Sequence, residues 1–329
     1  MPHPFATHVG VRRLVTAATA APSVHNTQPW RFRLHDASVL ELHADPDRKL
    51  DVLDPRGRAL YISCGAALFN LRLGIRMTGH RPLVQSFPDN VDDPNLVAAV
   101  AVEEAPMPSS THAELYATIP HRRTSRRPFS KRIVSRAVRD ELVEAARAEG
   151  AALGMPGPQT TAYLLSLVAD ADRRLVADDR YLTELARWTC GRGRDDGIPW
   201  YAYGPRPTGR GLPMRDFGLA GPVTGRDADD FAVRPQLGVL LTQGDEPADW
   251  LLAGQALQRI LLTATRRGLS TSLLSQPWDM QSGSRPDTGA TRPAGHIQAI
   301  IRFGYGPPVP GTPRRPFPAV LQRTQKGWK

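Results

Sequence analysis

The sequence predicts an α+β fold in which one unit occurs twice in tandem. Two observations predict it. Helix-type and strand-type patterns follow one another along most of the 329 residues. The chain also aligns with itself, because a shift of 189 positions pairs Gly65 with Gly254 and Gly79 with Gly268, with six identities and no gap in 24 positions. Such an internal match indicates a duplicated unit, although alanine-rich helices can also align by chance.

A second self-match gives the organisation of the repeat. A shift of 128 positions pairs residues 14–20 with residues 142–148. Because the two shifts differ by 61 positions, the second copy carries 61 additional residues between its first helix and its long helix. We therefore expect a first copy over 1–110 and a second copy over 111–329, with an inserted helix and a lid-like loop at about 170–232.

The elements of the first copy follow from hydrophobic periodicity. Apolar residues at helical spacing predict two helices, the second of which ends at Gly79. Aromatic and arginine residues that alternate from Trp30 onward predict a strand. The predicted order is helix 8–21, strands 30–35 and 39–44, helix 57–78, and strands 82–87 and 96–102. Pro106 and Pro108 mark the joint to the second copy.

The second copy repeats this order around an irregular stretch. Residues 190–232 lose all periodicity and are rich in Gly, Pro, Arg and Asp. A loop of that length inside a compact domain is usually functional or disordered. The other predicted elements are helix 135–148, strand 161–168, helix 171–188, strand 236–242, helix 248–267, and strands 271–275 and 297–305, followed by a proline-rich tail.

Composition excludes several classes of protein. With 41% hydrophobic and 22% charged residues, the chain is neither disordered nor fibrous. No apolar run reaches the roughly 20 residues that a membrane span needs, and we expect no secretion signal, so the expected location is cytoplasmic. Cys64 and Cys190 form neither a disulfide framework nor a zinc cluster. We predict no metal site.

The net charge of +10 has two interpretations. It is consistent with a polyanionic partner. However, only four of the 42 basic residues are lysine, and arginine, alanine and proline are all abundant. That bias is typical of GC-rich coding sequences, which raise the isoelectric point without any nucleic-acid function.

Three short motifs could carry chemistry. The loop at 21–30 joins a helix to a strand and places serine, asparagine and glutamine side chains between two prolines, either for a ligand or as a structural turn. The segment 122–127 contains four arginines, and residues 314 and 315 add two more between prolines. Arginine is suited to bidentate recognition of phosphate. Both clusters also fit a solvated basic surface or nucleic acid.

Taken together, these motifs resemble the nitroreductase family of flavin enzymes. That family has an Arg-Arg-Ser-x-Arg segment, an Ala-Pro-Ser-x-x-Asn-x-Gln-Pro-Trp loop, a long helix that ends at glycine, and a basic C-terminal element. Here the first copy keeps the loop at 21–30, whereas the second keeps Arg122–Arg126 and Arg314–Arg315. The arrangement is similar to the Acg-type branch, in which a duplicated chain imitates the family homodimer. The resemblance implies the nitroreductase fold, with mixed or antiparallel sheets flanked by helices.

The resemblance also implies one FMN between the copies. The phosphate would be held by Arg122, Thr124, Arg314 and Arg315, while Arg123 and Arg126 would reach the phosphate or the polar edge of the ring. The first copy would border the ring with Pro22, Ser23, Val24, His25 and Asn26. The second copy would face it with the backbone of Leu274, Ser275 and Gln276.

The function implied by the resemblance is oxidoreduction. NAD(P)H would reduce FMN, and an electron-poor small molecule such as a nitroaromatic or a quinone would accept the electrons, with no catalytic acid or base supplied by the protein. A monomer would suffice, further association would be optional, and neither nucleic acid nor membrane would be a partner. The alternative is a protein that stores or sequesters FMN, because Gln276 could crowd the ring and Trp188, Trp200, Tyr201 and Tyr203 could form a closed lid.

Overall fold

The structure, a computed structural model, consists of two α+β units and an insertion. It describes residues 2–35, 38–88, 93–189, 193–208, 211–219, 221, 225–232, 234–280 and 295–322. The first unit contains α1 His8–Thr19, β1 Trp30–His35, β2 Val39–Ala44, α2 Arg58–Arg76, β3 His80–Ser86, β4 Leu96–Glu104 and α3 Ser110–Thr118. The second unit begins with α4 Arg136–Arg147 and β5 Ala152–Gly154.

Four strands of the first sheet lie in the order β1-β2-β4-β3, and the three pairings among them are antiparallel. Trp30 and Phe32 point into the core from β1 and are fully buried. The intervening Arg31 is only partly buried and pairs with Asp45 at 2.7 Å. This alternation is expected of a sheet with one face on the core, which here is filled by α1 and α2.

The second sheet repeats this order with different strands. After β5, the insertion forms α5 Pro158–Val176, α6 Asp179–Thr189, β6 Arg206–Pro207 and β7 Ala228–Asp229. The unit then continues with β8 Leu237–Thr242, α7 Pro247–Arg266, β9 Ser270–Leu273, α8 Gln276–Asp279 and β10 His296–Gly304. The sheet order is β5-β8-β10-β9, again antiparallel throughout. Each strand of the second sheet therefore occupies the same position as its counterpart in the first sheet, and the counterparts follow one another in the same order along the chain.

The long helices α2 and α7 cross where Gly65 meets Gly254. A Cβ on Gly65 would lie 2.1 Å from the carbonyl oxygen of Leu251, and one on Gly254 would lie 2.1 Å from that of Ile62. The sequence shift of 189 equates these two glycines. Reciprocal contact between equivalent residues is the signature of a two-fold axis, so the two units face each other as the subunits of a symmetric dimer do.

The insertion is longer than the sequence indicated. In the first unit only residues 36–38 separate β1 from β2, whereas α5 starts directly after the equivalent strand β5. We therefore infer that the inserted part begins at 158, whereas the sequence predicted about 170. Its α6 packs Tyr181, Leu185 and Trp188 against Leu50 and Leu53 of the first unit. The insertion thus ties the two units together.

Most predicted elements are confirmed, but the strand at 161–168 is wrong. These residues lie in α5, where Leu164, Leu165, Val168 and Leu175 form a buried helical stripe behind a proline in the first turn. The predicted helix 171–188 is interrupted at Asp178, whose carboxylate accepts a hydrogen bond from the Arg180 amide at 2.9 Å. Such an acidic cap starts α6 as a new helix.

Four elements near the joints and the terminus were not predicted. They are α3, the short strand β5, and the C-terminal pair α9 Phe317–Val320 and β11 Leu321–Gln322. Strand β11 pairs in parallel with β1 of the first sheet, with Phe32 opposite Leu321. The end of the chain therefore belongs spatially to the first unit. Over the described residues, no helix is long and apolar enough to cross a membrane.

Candidate functional site

Two adjoining cavities lie where the two units and the insertion meet. The first, the apolar cavity, encloses about 960 Å³ of space, and the second, the arginine cavity, encloses about 810 Å³, in both cases including space open to solvent. Their common wall consists of Pro22, Ser23, Thr124 and Arg126. A ligand with an apolar part and an anionic part can therefore extend across this wall.

The loop after α1 forms one side of both cavities. It contains a single 3₁₀ turn, Val24–Asn26, and His25, Asn26 and Gln28 have φ values of 45°, 55° and 51°. Side chains with a Cβ rarely adopt such angles. Ser23 stabilises the turn, because its hydroxyl accepts a hydrogen bond from the Gln28 amide at 2.9 Å. Backbone of this kind is concentrated at functional sites, where the surrounding contacts maintain it.

Four arginines line the arginine cavity, namely Arg122, Arg123, Arg126 and Arg314, and no carboxylate lines it in the described part of the chain. Arg122 is 4% exposed, and burial together with Arg314 and Arg123 lowers its pKa to about 9. Burial and Arg123 lower the pKa of Arg314 to about 10. The Nε groups of Arg122 and Arg314 are buried without a hydrogen-bond acceptor among the described residues. An anion here would satisfy these groups and offset the repulsion.

The chain holds these arginines from two directions. The amide of Ser125 donates to the carbonyl of Thr271 at 2.8 Å, which attaches the 122–126 segment to the edge of β9. From the other side, Arg314 Nη1 donates to Asn26 Oδ1 at 3.0 Å and to the hydroxyl of Thr312 at 2.7 Å. Asn26, in the loop of the first unit, thus orients Arg314 toward the 122–126 segment of the second unit.

The apolar cavity has contributions from all three parts of the fold. Ile62 and Ala66 of α2, Leu257 of α7 and Ala299 of β10 form its apolar walls. The polar lining includes Ser63, Ser272, Ser275, Gln276, Asp279 and Gln298. The insertion contributes Met214, Arg215 and Phe217. A few polar groups in a mainly apolar lining are typical of a site for a flat organic ligand.

A buried ion pair forms the polar end of this cavity. Arg58 Nη1 of α2 donates to Asp279 Oδ1 at 2.7 Å, and both side chains are 2% exposed. Asp279 Oδ2 accepts from the Ser275 hydroxyl at 2.6 Å, and Arg58 Nε donates to Gln298 at 3.0 Å. Nearby, burial and Asp279 raise the pKa of Asp54 to about 7. This network joins α2 of the first unit to β10 and α8 of the second.

The insertion reaches the loop of the first unit through Arg215. Its Nη1 atom lies 2.7 Å from His25 Nε2, and the edge of the His25 ring faces Phe217 with centroids 5.3 Å apart. Burial, followed by Arg215 and Arg126, holds the pKa of His25 well below 6.5. Arg126 stacks over Phe217 at 4.5 Å. His25 is therefore a neutral imidazole at neutral pH.

Two curated relatives match this chain almost from end to end. The protein named "Putative NAD(P)H nitroreductase Rv3131" from Mycobacterium tuberculosis (strain ATCC 25618 / H37Rv) is 34% identical over 322 residues, which cover 95% of this chain and 91% of that protein. From the same strain, "Putative NAD(P)H nitroreductase acg" is 30% identical over 331 residues, which cover 98% of each chain. This chain belongs to the nitroreductase family. No protein-family model matches it.

Solved structures with related folds were also found. A crystal structure described as a putative nitroreductase from Anabaena variabilis ATCC 29413 has a TM-score of 0.46 and 12% sequence identity, and the match covers 90% of this chain and 87% of that one. A nitroreductase with bound FMN from Bacteroides fragilis NCTC 9343 has a TM-score of 0.36 and 15% identity, and the match covers 58% of this chain and 88% of that one.

The nitroreductase fold brings all predicted site residues but one together. The apolar cavity is lined by Pro22, Ser23, Val24, His25, Thr124, Arg126, Leu274, Ser275 and Gln276, and the arginine cavity adds Asn26, Arg122, Arg123 and Arg314. Gln276 turns its amide toward Asp172, 3.3 Å away.

Arg315 is the one predicted phosphate residue that lies outside both cavities. Its Nη1 atom donates to the carbonyl of Gln28 at 3.2 Å and its Nη2 atom to that of Ala319 at 2.6 Å. Arg315 therefore attaches the C-terminal segment to the first sheet. Neighbouring residues in an extended segment point to opposite sides, which is why Arg314 faces the cavity and Arg315 does not.

The predicted lid residues also require correction. Trp188 and Tyr203 are buried in the apolar cluster of the insertion, Trp200 and Tyr201 are exposed, and none of the four lines either cavity. Met214, Arg215 and Phe217 are the residues of the insertion that line the apolar cavity.

Other functional residues lay outside any recognisable motif. Arg58, Asp279 and Gln298 are far apart in sequence and carry no local signal. Cys64 is buried in the core, as expected, whereas Cys190 lies outside the described residues. Groups of three or more residues that could hold a metal ion are absent from the described ranges.

Proposed function

We propose that this nitroreductase binds FMN across the two cavities and uses it to reduce an electron-poor small molecule, such as a nitroaromatic or a quinone, at the expense of NAD(P)H. The observation that carries the proposal is the combination of an arginine cavity, which no carboxylate of the described residues lines, and an adjoining apolar cavity. FMN has the matching parts, a phosphate and a flat ring. The names of the curated relatives support the same activity.

The residues present fit the phosphate. Arg122 and Arg314 each have a buried Nε group without an acceptor among the described residues, and Arg123 lies beside them. Guanidinium groups bind phosphate oxygens through short, charge-assisted hydrogen bonds. We infer that Arg122, Arg123 and Arg314, with the hydroxyl of Thr124, hold the phosphate, while the common wall carries the linker to the ring.

The residues of the apolar cavity fit the ring. Ile62, Leu257 and Phe217 offer apolar surface, and Arg126 places a cation in the wall. Burial and Arg215 lower the pKa of Arg126 to about 10, so a ligand that gains negative charge is favoured there. When bound, FMN supplies the two-electron chemistry that links NAD(P)H to the acceptor.

We further propose that one chain holds one FMN and is complete as a monomer, formed by a first copy over 1–110 and a second copy over 111–329. The arginine cavity takes Arg122 and Arg123 from the second unit and Asn26 from the first. The equivalent segment of the first copy, 1–10, has no arginine. Covalent linkage makes the interface intramolecular, so the site does not depend on protein concentration.

Flavin content and chain mass test this assignment. The purified protein is expected to be yellow and to release one FMN per chain on denaturation, with a monomer mass in light scattering. A chain that binds no flavin would disprove the proposed function. Two FMN per chain, or flavin held only by a dimer, would disprove the asymmetric site while leaving the activity open to direct measurement.

Storage of FMN is a second candidate, and the insertion supports it. Met214 and Phe217 line the apolar cavity and are 8% and 6% exposed, so this segment covers the place where NAD(P)H and an acceptor would have to enter. A cover that stayed closed would leave bound flavin without turnover. In that case the protein would be a reservoir and not a catalyst.

Anaerobic titration with NADH and NADPH separates the two candidates. Rapid bleaching of the flavin, reversed by a nitroaromatic or quinone, is expected of the reductase. Flavin that is bound but not reduced would favour storage, and Phe217→Ala should then allow reduction by opening the cover. The matched control is Phe231→Ala, which truncates another buried phenylalanine of the insertion outside both cavities.

A further inference from the structure

Arg215 and His25 form a contact that the proposed chemistry does not yet use. Arg215 Nη1 of the insertion lies 2.7 Å from His25 Nε2 of the first unit, and both residues line the apolar cavity. Arg215 is itself positioned by Asp172, whose Oδ1 atom lies 3.9 Å from Arg215 Nε. The contact therefore connects two parts of the insertion, α5 and the segment around Arg215, to the loop at the wall of the cavity.

This hydrogen bond determines which nitrogen of His25 carries the proton. A guanidinium group has N–H donors and no acceptor, so His25 Nε2 must accept. The single proton of the neutral imidazole is then on Nδ1. Burial and the neighbouring Arg215 and Arg126 oppose a second proton on the ring. His25 consequently has a fixed N–H donor on the side away from Arg215.

That donor has no partner within the described residues. His25 is 4% exposed, and its Nδ1 atom is buried without a hydrogen bond. Buried polar groups in folded proteins are nearly always paired, so an exception needs an explanation. The backbone adds a second anomaly, because His25 has a φ of 45°. A ring that served only for packing would require neither feature.

We propose that Arg215 is a positioning residue that fixes His25 as the Nδ1–H tautomer, so that His25 donates a hydrogen bond to an acceptor atom of the ring system bound in the apolar cavity. The acceptor would be a ring carbonyl oxygen or an unprotonated ring nitrogen. This inference rests on the proposed function, since it requires a heteroaromatic ligand in that cavity. Through Arg215, the insertion would then determine the hydrogen bond that His25 donates to the bound ring, in addition to lining the cavity.

Nitrogen-15 NMR of the apoprotein tests the tautomer directly. The chain has nine histidines, and His25→Asn identifies the His25 signals by their loss. We expect a protonated Nδ1 and an unprotonated Nε2 in the native protein. Arg215→Met should transfer part of the proton to Nε2, and Arg215→Lys, which keeps a donor, should restore the native pattern. The control is Arg206→Met, which removes an exposed arginine from the same insertion.

FMN binding tests the donated hydrogen bond. Loss of one neutral hydrogen bond changes affinity by about 2- to 10-fold, so Arg215→Met should raise the dissociation constant of FMN by that factor and shift the visible absorption bands of the bound flavin. Arg206→Met should leave the constant and the bands unchanged.

The outcomes separate this inference from the proposed function. A native His25 protonated at Nε2, or a tautomer insensitive to Arg215→Met, would overturn the role of Arg215. Equal flavin spectra in Arg215→Met and Arg206→Met would overturn the donated bond. A native protein with the Nδ1–H tautomer but no FMN binding would disprove the proposed function and with it the ring acceptor, since the tautomer is read without flavin.

Discussion

Replacing Arg122 by methionine should change stability and flavin binding in opposite directions. Arg122 is 4% exposed in a cavity where no described carboxylate lies, and its pKa falls from 12.5 to about 9. At about 1.4 kcal/mol per pKa unit, this shift corresponds to a cost of roughly 5 kcal/mol for the charged form, which arises from burial and from repulsion by Arg314 and Arg123. Relaxation and water reduce such costs, so we expect Arg122→Met to stabilise the apoprotein by about 1–4 kcal/mol.

The same substitution removes a phosphate partner. A hydrogen bond to an ionised group contributes about 1.5–3 kcal/mol, which corresponds to a 10- to 100-fold weaker retention of FMN. Urea unfolding of the apoprotein and fluorescence titration with FMN measure the two effects on one preparation. Arg314→Met should behave similarly in the titration, because Arg314 lines the same cavity.

Arg315→Met is the matched control. Arg315 binds backbone carbonyls of the first sheet and lies outside both cavities, so its loss should lower stability and leave FMN affinity nearly unchanged. The reasoning would be refuted if Arg122→Met destabilised the apoprotein and left FMN affinity at the native value. That result would mean that Arg122 serves the fold and not the ligand.

Three other perturbations follow from the structure. Gly65→Ala should destabilise the fold by about 1–3 kcal/mol or more in urea unfolding, because a Cβ would meet backbone 2.1 Å away, whereas Gly157→Ala, with nothing within 4 Å, should be nearly neutral. His25 has a pKa below 6.5 in the fold, so the folded state binds fewer protons, and the stability advantage of the native protein over His25→Asn should shrink as pH falls below 6.5. Asp54 is raised from 3.8 to about 7, so its contribution should be lost as pH rises from 3.8 to 7, and Asp54→Asn should gain stability relative to the native protein over that range.

Local signals in the sequence predicted the parts of the site that are contiguous in the chain. In the loop with Ser23 and Asn26, and in the segment with Arg122, the polar or basic side chains of the candidate site lie within a few residues of one another. Long helices with a regular apolar stripe were predictable for the same reason. The strand predicted at 161–168 failed because a short apolar run fits either period, and only the longer stripe that continues to Leu175 decides for a helix.

The remaining parts depend on contacts that no local pattern encodes. Arg58 and Asp279 are 221 positions apart, yet they form a buried ion pair at 2.7 Å. Arg215 lies in an aperiodic stretch, and only its 2.7 Å approach to His25 distinguishes it from the other arginines there. The two residues of β11 join a sheet whose other strands lie before residue 105. Such pairings are properties of the folded chain.

If the chain holds a single site, as we propose, the distribution of that site between the units explains how one insertion can serve it. In a homodimer every segment occurs twice, so an inserted cover would close both sites and any loop that degenerated would be lost from both. In a single chain with two copies, the loop around Asn26 needs to persist only in the first copy and Arg122 only in the second. The insertion then needs to reach only this site, and it does so with Arg215 and Phe217. A single chain with two copies can have such asymmetry, whereas a symmetric homodimer cannot, because both of its subunits have the same sequence.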